Sequence, residues 1–186
     1  VFDAIVPAGG RASRLGGADK PQLTLAGRTL LDHVIDAAAD ATRVVVVGPR
    51  QPVSREVVFC HEDPAGGGPV AAIAAALPHV SADTVVLLAA DLPHIAPAVP
   101  GLIAAIGRAD VALLVDSAGR ANYLASAWRR AALVRALAAI ETPAGAAMGM
   151  LIEHVAVVRV PDPAGWGRDC DTWDDLEQAR IRLEER

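Results

Sequence analysis

The sequence predicts an α/β fold, a mostly parallel sheet covered by helices on both faces. Three observations lead there. Strand-like apolar runs alternate with helical segments along the chain, the order that lays strands parallel and returns through helices. Two strand runs, Ala4-Ile5-Val6 and Val85-Val86-Leu87-Leu88-Ala89-Ala90, are apolar without interruption, as strands covered on both faces are. The chain has 186 residues and 53% of them are hydrophobic, enough for one domain, residues 1–186, with a sizeable core.

The elements follow in order. Ala4-Ile5-Val6 is the first strand. Thr29-Leu30-Leu31-Asp32 has the form of a capping box, in which hydroxyl and acidic side chain satisfy free N–H groups, and it opens a helix to about Ala39. Arg43 to Val47 is a β-branched strand stopped by Gly48-Pro49, and Glu56 to Cys60 is another. The glycine-rich loop 61–69 feeds a helix from Val70 to Leu77. Thr84 to Ala89 is a buried strand that runs into Asp91-Leu92-Pro93. A helix from about Pro97 to Gly107, a strand from Asp110 to Val115 and a shorter strand from Tyr123 to Ala127 come next. Arg129 to Ile140 reads as helix, Ala144 to Ile152 as a small helix, and Val155 to Val160 as the last strand. Thr172-Trp173-Asp174-Asp175 repeats the capping pattern and starts a terminal helix to about Glu185. There is no internal repeat, low-complexity tract or linker.

The stretch between the first strand and the first helix carries the chemistry. From Val6 to Lys20 it holds Gly9, Gly10, Gly16 and Gly17 beside Arg11, Arg14 and Lys20. Glycines let backbone N–H groups face a ligand, and basic side chains beside them suit phosphate. Lys20 is the only lysine among 17 basic residues. A chain that uses arginine everywhere else keeps a compact ammonium here. The stretch is neither a Walker A loop, since Asp19 precedes Lys20 and Pro21 follows it, nor the dinucleotide fingerprint Gly-x-Gly-x-x-Gly.

Ligands of open α/β sheets bind beyond the carboxyl ends of the strands. That rim gathers the glycine stretch, the 61–69 loop and Asp91. Asp91 suits a hard cation such as Mg²⁺, and it equally suits a turn or helix cap. Other classes are disfavoured. A net charge of −5 argues against a general nucleic-acid surface. Cys60 and Cys170 form no metal or redox pair. The five histidines show no metal-ligand spacing, and no Gly-x-Ser-x-Gly elbow occurs. Trp128, Trp166 and Trp173 read as packing anchors. No apolar run is long enough for a membrane span and no secretory leader is visible, which predicts a cytoplasmic protein.

The stretch Pro7-Ala8-Gly9-Gly10, continued by Arg14, Leu15, Gly16 and Lys20, resembles the signature of the molybdenum cofactor guanylyltransferase family. That signature is roughly Leu-Ala-Gly-Gly-x-x-x-Arg-Met-Gly followed by Lys; Pro7 stands for its Leu and Leu15 for its Met. Three further blocks recur in order: Asp63 ahead of Gly68-Pro69-Val70-Ala71-Ala72, Asp91-Leu92-Pro93, and Asp169-Cys170-Asp171-Thr172-Trp173-Asp174-Asp175-Leu176. The resemblance implies a three-layer Rossmann-like sandwich of the nucleotide-diphospho-sugar-transferase type. It implies transfer of GMP from GTP to the terminal phosphate of molybdenum–molybdopterin, with Mg²⁺ as cofactor and molybdoenzyme maturation proteins as partners.

Carried over residue by residue, it makes Lys20, Arg14 and Asp91 catalytic and Asp91 the Mg²⁺ ligand. Pro7, Ala8, Gly9, Gly10, Lys20, Asp63 and Asp91 would bind nucleotide. The acceptor candidates are Arg120, Asn122, the 144–151 segment and Asp171, the last also fitting a metal or helix-cap role. Arg120-Ala121-Asn122-Tyr123, Ala146-Ala147-Met148-Gly149-Met150 and Gly48-Pro49 depart from the family pattern where base or acceptor would be touched. A cytidylyltransferase for molybdopterin or a guanylyltransferase for 2-phospholactate keeps the chemistry and changes one substrate. A nucleotide-binding partner protein keeps the site without turnover. The guanylyl family has Gly-Gly where cytidylyl relatives have Ala-Gly. A Cβ at position 9 is expected to crowd the loop, so GTP is expected over CTP.

Overall fold

The computed structural model describes residues 1–9 and 19–184. In chain order its elements are β1 (Asp3–Pro7), β2 (Thr24–Leu25), β3 (Arg28–Thr29), α1 (Leu30–Ala37), β4 (Arg43–Val47), β5 (Val58–Cys60) and α2 (Pro69–Ala76). There follow β6 (Thr84–Leu88), α3 (Ala98–Ala105), β7 (Val111–Val115), β8 (Ala121–Arg129), α4 (Arg130–Ala138), β9 (Val157–Pro161) and α5 (Trp173–Glu184). Among the described residues the main sheet has seven strands in the order β5-β4-β1-β6-β8-β7-β9, and β2 and β3 form a separate hairpin.

The sheet is parallel except for β8, which runs antiparallel to both neighbours. The cause is local. Only the turn 116–120 separates β7 from β8, whereas a parallel crossover needs about a dozen residues or more. Asp116 Oδ1 closes that turn by accepting from the N–H groups of Ala118 and Arg120, both at 2.9 Å. The short strand expected from Tyr123 to Ala127 is therefore a nine-residue strand, Ala121–Arg129, between β6 and β7. The small helix expected over 144–152 is a 3-10 turn at Met148–Ile152.

Alternation along the central strands divides the core. Ala4, Val6, Val86 and Leu88 face α1 and α3, where Leu31, Val34, Val99 and Leu102 meet them. Ile5, Val45, Val85 and Leu87 face α2 and α4, against Val70, Ile73, Leu133 and Leu137. This is the period-two burial of a sheet covered on both faces. Most of these side chains are aliphatic and fully buried, each stabilising by about 1.5–3 kcal/mol relative to exposure.

The two capping sequences behave differently. Asp175 N–H donates to Thr172 Oγ1 at 3.1 Å while Thr172 N–H donates to Asp175 Oδ2 at 2.9 Å, a complete box at the start of α5. At α1 only half forms: Asp32 N–H donates to Thr29 Oγ1 at 3.0 Å, and the Asp32 carboxylate turns to the Ser54 N–H at 2.7 Å. A third apolar cluster of Leu25, Leu30, Cys170, Leu176 and Ala179 seats α5 on the β2–β3 hairpin. That docking brings the residues just before α5 next to the turn that carries Lys20.

Candidate active site

The carboxyl ends of β1, β4 and β5 are tied together past the end of the ladder. Ala8 N–H donates to Val47 O at 2.8 Å, and Gly48 N–H donates to Cys60 O at 2.9 Å. Gly48, at φ 146°, lies so close that a Cβ on it would stand 3.2 Å from the carbonyl carbon of Ala8 and from Gly9 N. Glycine is required there. This accounts for Gly48-Pro49, one of the departures from the family pattern: the loop rests on the Ala8–Gly9 backbone.

Beside this rim a cavity of about 240 Å³ is lined by Pro7, Ala8, Gly9, Lys20, Pro69 and Asp91 among others. Pro69 is the first residue of α2, and Gly68 caps it at φ 89°. The helix thus offers its N-terminal N–H groups and the positive end of its dipole on this side. Lys20 opens a 3-10 turn at Lys20–Gln22. Its Nζ donates to Asp91 Oδ2 and, at 2.6 Å, to Asp171 Oδ1. Burial lowers the Lys20 pKa, but Asp91 and Asp171 outweigh it and hold the ammonium above the ordinary lysine value.

Asp91 follows β6, and its backbone O accepts from Cys170 N–H at 3.2 Å, which joins it to the segment before α5. Carboxylate oxygens of Asp91, Asp169 and Asp171 all lie within 4.8 Å of one another. Asp91 Oδ1 is buried and has no hydrogen-bond partner among the described residues. Burial, then the charges of Asp171 and Asp91, push Asp169 above the usual aspartate range. Cys170 sits between the two aspartates, and burial with Asp91 nearby drives its thiol up to about 12. It stays a neutral thiol packed in the core, so the donor set of this cluster is oxygen alone.

A second, larger cavity of about 900 Å³ opens on the other side of the cluster, lined by Arg120, Asn122, Tyr123, Asp169, Asp171 and Arg182 among others. Leu124 lines both cavities. The Lys20–Asp171 contact therefore joins a residue of the small cavity to one of the large.

The structure brings Pro7, Ala8, Gly9, Lys20 and Asp91 to one cavity and Arg120, Asn122 and Asp171 to the other. Gly10 and Arg14 lie outside the described residues, as does most of the glycine stretch. Asp63 is exposed on its loop. The acidic side chain turned inward is its neighbour Glu62, 9% exposed, whose Oε1 accepts from Gly66 N–H at 3.1 Å. A Cβ on Gly9 would stand 3.4 Å from Glu62 Oε1 and 3.9 Å from both Oε2 and Val47 O, ordinary contact distances. Among the described residues a Cβ at position 9 would lie against a carboxylate, and the loop it is expected to crowd falls outside them.

Arg120 stands at the outer edge, 83% exposed and paired with Asp116 at 2.7 Å. Asn122 holds the cavity wall together, donating to Gly167 O at 2.8 Å and accepting from Leu124 N–H at 3.0 Å. The 144–151 segment docks on the glycine loop through Gly145 N–H to Gly67 O at 2.8 Å. Sequence reasoning passed over Asp169, whose two-residue spacing from Asp171 was the available signal. It also passed over Glu62 and over Arg182, which donates to Gly165 O at 3.0 Å.

Comparison with known proteins shows the family and the fold. Residues 4–158, well over half the chain, match the family model described as MobA-like NTP transferase domain. A molybdenum cofactor guanylyltransferase of Vibrio cholerae is 36% identical over 85 residues, 44% of this chain and 42% of that protein. The chain thus matches less than half the length of such curated relatives. Two solved structures share the fold. The molybdopterin-guanine dinucleotide biosynthesis protein A of Archaeoglobus fulgidus superimposes with a TM-score of 0.74 at 20% identity, covering 99% of this chain and 100% of that one. The 2-C-methyl-D-erythritol 4-phosphate cytidylyltransferase of Thermus thermophilus gives 0.75 at 21% identity, covering 98% of each.

Proposed function

This chain belongs to the MobA-like NTP transferase family, and from that premise we propose that it transfers GMP from GTP to the terminal phosphate of molybdenum–molybdopterin, releasing pyrophosphate. One observation carries the reading: two cavities meet at a lysine held between carboxylates. Nucleotide would occupy the smaller, against Pro7, Ala8, Gly9 and the start of α2, and the acceptor the larger. An oxygen of the acceptor phosphate attacks the α-phosphorus in line. A new O–P bond forms, the bond to the bridging oxygen of the β-phosphate breaks, and the electron pair leaves with pyrophosphate.

The protein's part is positioning and charge. Lys20 offers its ammonium to the phosphates at the junction of the cavities. Asp91, Asp169 and Asp171 suit a hard divalent cation by their oxygen donors, their spacing and the orphaned Asp91 Oδ1. Mg²⁺ held there would neutralise charge on the departing pyrophosphate. Arg168 and Arg182 line the larger cavity, with Arg120 tied to Asp116 at its outer edge, and these are the cations that an anionic acceptor would meet there. Among the described residues no helix is long and apolar enough to cross a membrane.

The test is pyrophosphate release by the purified chain with Mg²⁺, GTP or CTP, and molybdopterin or 2-phospholactate, with the product identified by mass. Release from GTP with molybdopterin is expected. Turnover with 2-phospholactate alone replaces the acceptor. Tight GTP binding without turnover on either acceptor replaces the enzyme reading with that of a binding partner.

A further inference from the structure

We propose that Arg182 is a positioning residue for the carboxylate cluster: it staples the strap between β9 and α5, and so holds Asp169 and Asp171 where they share a divalent cation with Asp91. The inference rests on the nucleotidyltransferase reading and deepens it at a residue that the sequence motifs did not single out. The strap runs from Asp162 to Asp171 and walls the larger cavity. It leaves the sheet after β9 ends at Pro161, so its backbone groups need partners from side chains. Three side chains supply them. Asp162, 7% exposed, accepts from Trp166 N–H at 2.9 Å and from Gly167 N–H at 2.8 Å. Asn122 of β8 donates to Gly167 O at 2.8 Å. Arg182, in the last turn of α5, donates from Nη2 to Ala164 O and from Nη1 to Gly165 O at 3.0 Å.

The staple closes a loop. Arg182 reaches back across 18 positions from the end of α5 to the segment that leads into that helix, and Asp169 and Asp171 lie between the two ends. Cys170 N–H on Asp91 O, at 3.2 Å, anchors the middle of the pair. Asp169 precedes that anchor, so its carboxylate follows the strap. The ligand oxygens of the three aspartates lie within 4.8 Å of one another, a spacing that a shift of the strap would open. Beyond the charge it lends the larger cavity, Arg182 therefore acts through the strap. The residue type fits that task. A guanidinium presents a planar fork of N–H groups to two successive carbonyls, whereas a lysine ammonium is a point charge on a flexible stem. Groups that orient metal ligands in this way typically account for roughly 10–100-fold in metal affinity.

The experiment is titration calorimetry with Mg²⁺ alone on the wild type, Arg182→Lys and Arg182→Met, with kcat and the acceptor's KM measured beside it across a range of Mg²⁺. Arg182→Lys keeps the charge and loses the fork; it is expected to bind Mg²⁺ roughly tenfold more weakly than the wild type, and Arg182→Met up to roughly 100-fold more weakly. GTP binding measured without Mg²⁺ is expected to stay unchanged in both. In Arg182→Lys, kcat is expected to fall at low Mg²⁺ and recover at saturating Mg²⁺, with the acceptor's KM at its wild-type value. Wild-type Mg²⁺ affinity in the folded variants overturns the inference. A raised acceptor KM with unchanged Mg²⁺ affinity overturns it too, and makes Arg182 an acceptor contact only. Should Arg182→Met not fold, Arg182→Lys decides by the same two readouts. A wild type that binds no Mg²⁺ overturns the inference together with the metal reading of the cluster. Turnover on neither acceptor overturns the transferase reading alone, because the three Mg²⁺ affinities still decide what Arg182 does.

Discussion

Replacing Lys20 should make the site a better metal site and a worse enzyme at once. In the structure the ammonium lies between Asp91 and Asp171, where a divalent cation would sit, so lysine and metal compete for the same oxygens. The ligand oxygens all lie within 4.8 Å of one another, and two unit charges separated by that much interact by about 3.5 kcal/mol at an effective dielectric of about 20. Asp171 is 46% exposed, so solvent reduces what the ammonium contributes against a nearby divalent ion to about 1–2 kcal/mol. That is roughly tenfold in affinity. Lys20→Ala, or Lys20→Met to keep the packing of the stem, should bind Mg²⁺ about tenfold more tightly than wild type without nucleotide. The same variants lose a preorganised charge at the phosphates and should transfer roughly 10²–10³ more slowly. Calorimetry with Mg²⁺ alone reads the first effect and pyrophosphate release the second. A variant that binds Mg²⁺ no better than wild type refutes the competition, and near-normal turnover refutes the phosphate role.

Three other outcomes follow from single contacts. Asp91→Asn should abolish the Mg²⁺-dependent part of GTP binding and spare the metal-free part, because the amide keeps the shape without the charge that a hard cation needs; equal Mg²⁺ dependence in titrations of both proteins would make Asp91 a turn residue. Gly67→Ala puts a Cβ 2.9 Å from Ala71 Cβ and 3.0 Å from Pro64 O, so the melting temperature should fall by roughly 3–10 °C. For Asp32, burial raises the pKa but the Ser54 N–H and hydroxyl, with Thr29, outweigh it and hold the group below the ordinary 3.8. A carboxyl depressed in the folded state stabilises above its unfolded pKa and loses that contribution as pH falls through the folded one. Asp32→Asn should therefore lower the melting temperature at pH 7, with the difference closing below the ordinary aspartate value of 3.8.

Much of the architecture is local and was legible in residues read one stretch at a time. The uninterrupted apolar run from Val85 supplies β6 as far as Leu88, a strand covered on both faces, and Ala4-Ile5-Val6 alternates between the two halves of the core. Thr29 and Thr172 cap the helices that their sequences announce, because a cap joins residues three apart. The place of the site was legible too. Lys20 stands out as the one lysine in an arginine-rich chain, and Asp91 ends a buried strand. Even the antiparallel β8 was within reach, since the turn 116–120 is too short for a crossover.

What the sequence could not decide is which distant segments meet. Lys20 reaches Asp171 across 151 positions only because β8 completes the sheet and the third apolar cluster seats α5 on the β2–β3 hairpin. Asp169 joins the carboxylates by the same docking. Whether Glu62 or Asp63 turns inward depends on how the loop after β5 meets the Gly9 backbone and the Gly66 N–H. Arg120 could be read as a free cation, yet its neighbour across the turn, Asp116, holds it at the outer edge. Capping, alternation and turn length act over a few residues, so composition and spacing determine them. Charge pairing, orphaned oxygens and the junction of two cavities depend on strand order and helix docking, and these are settled by the packing of the whole chain.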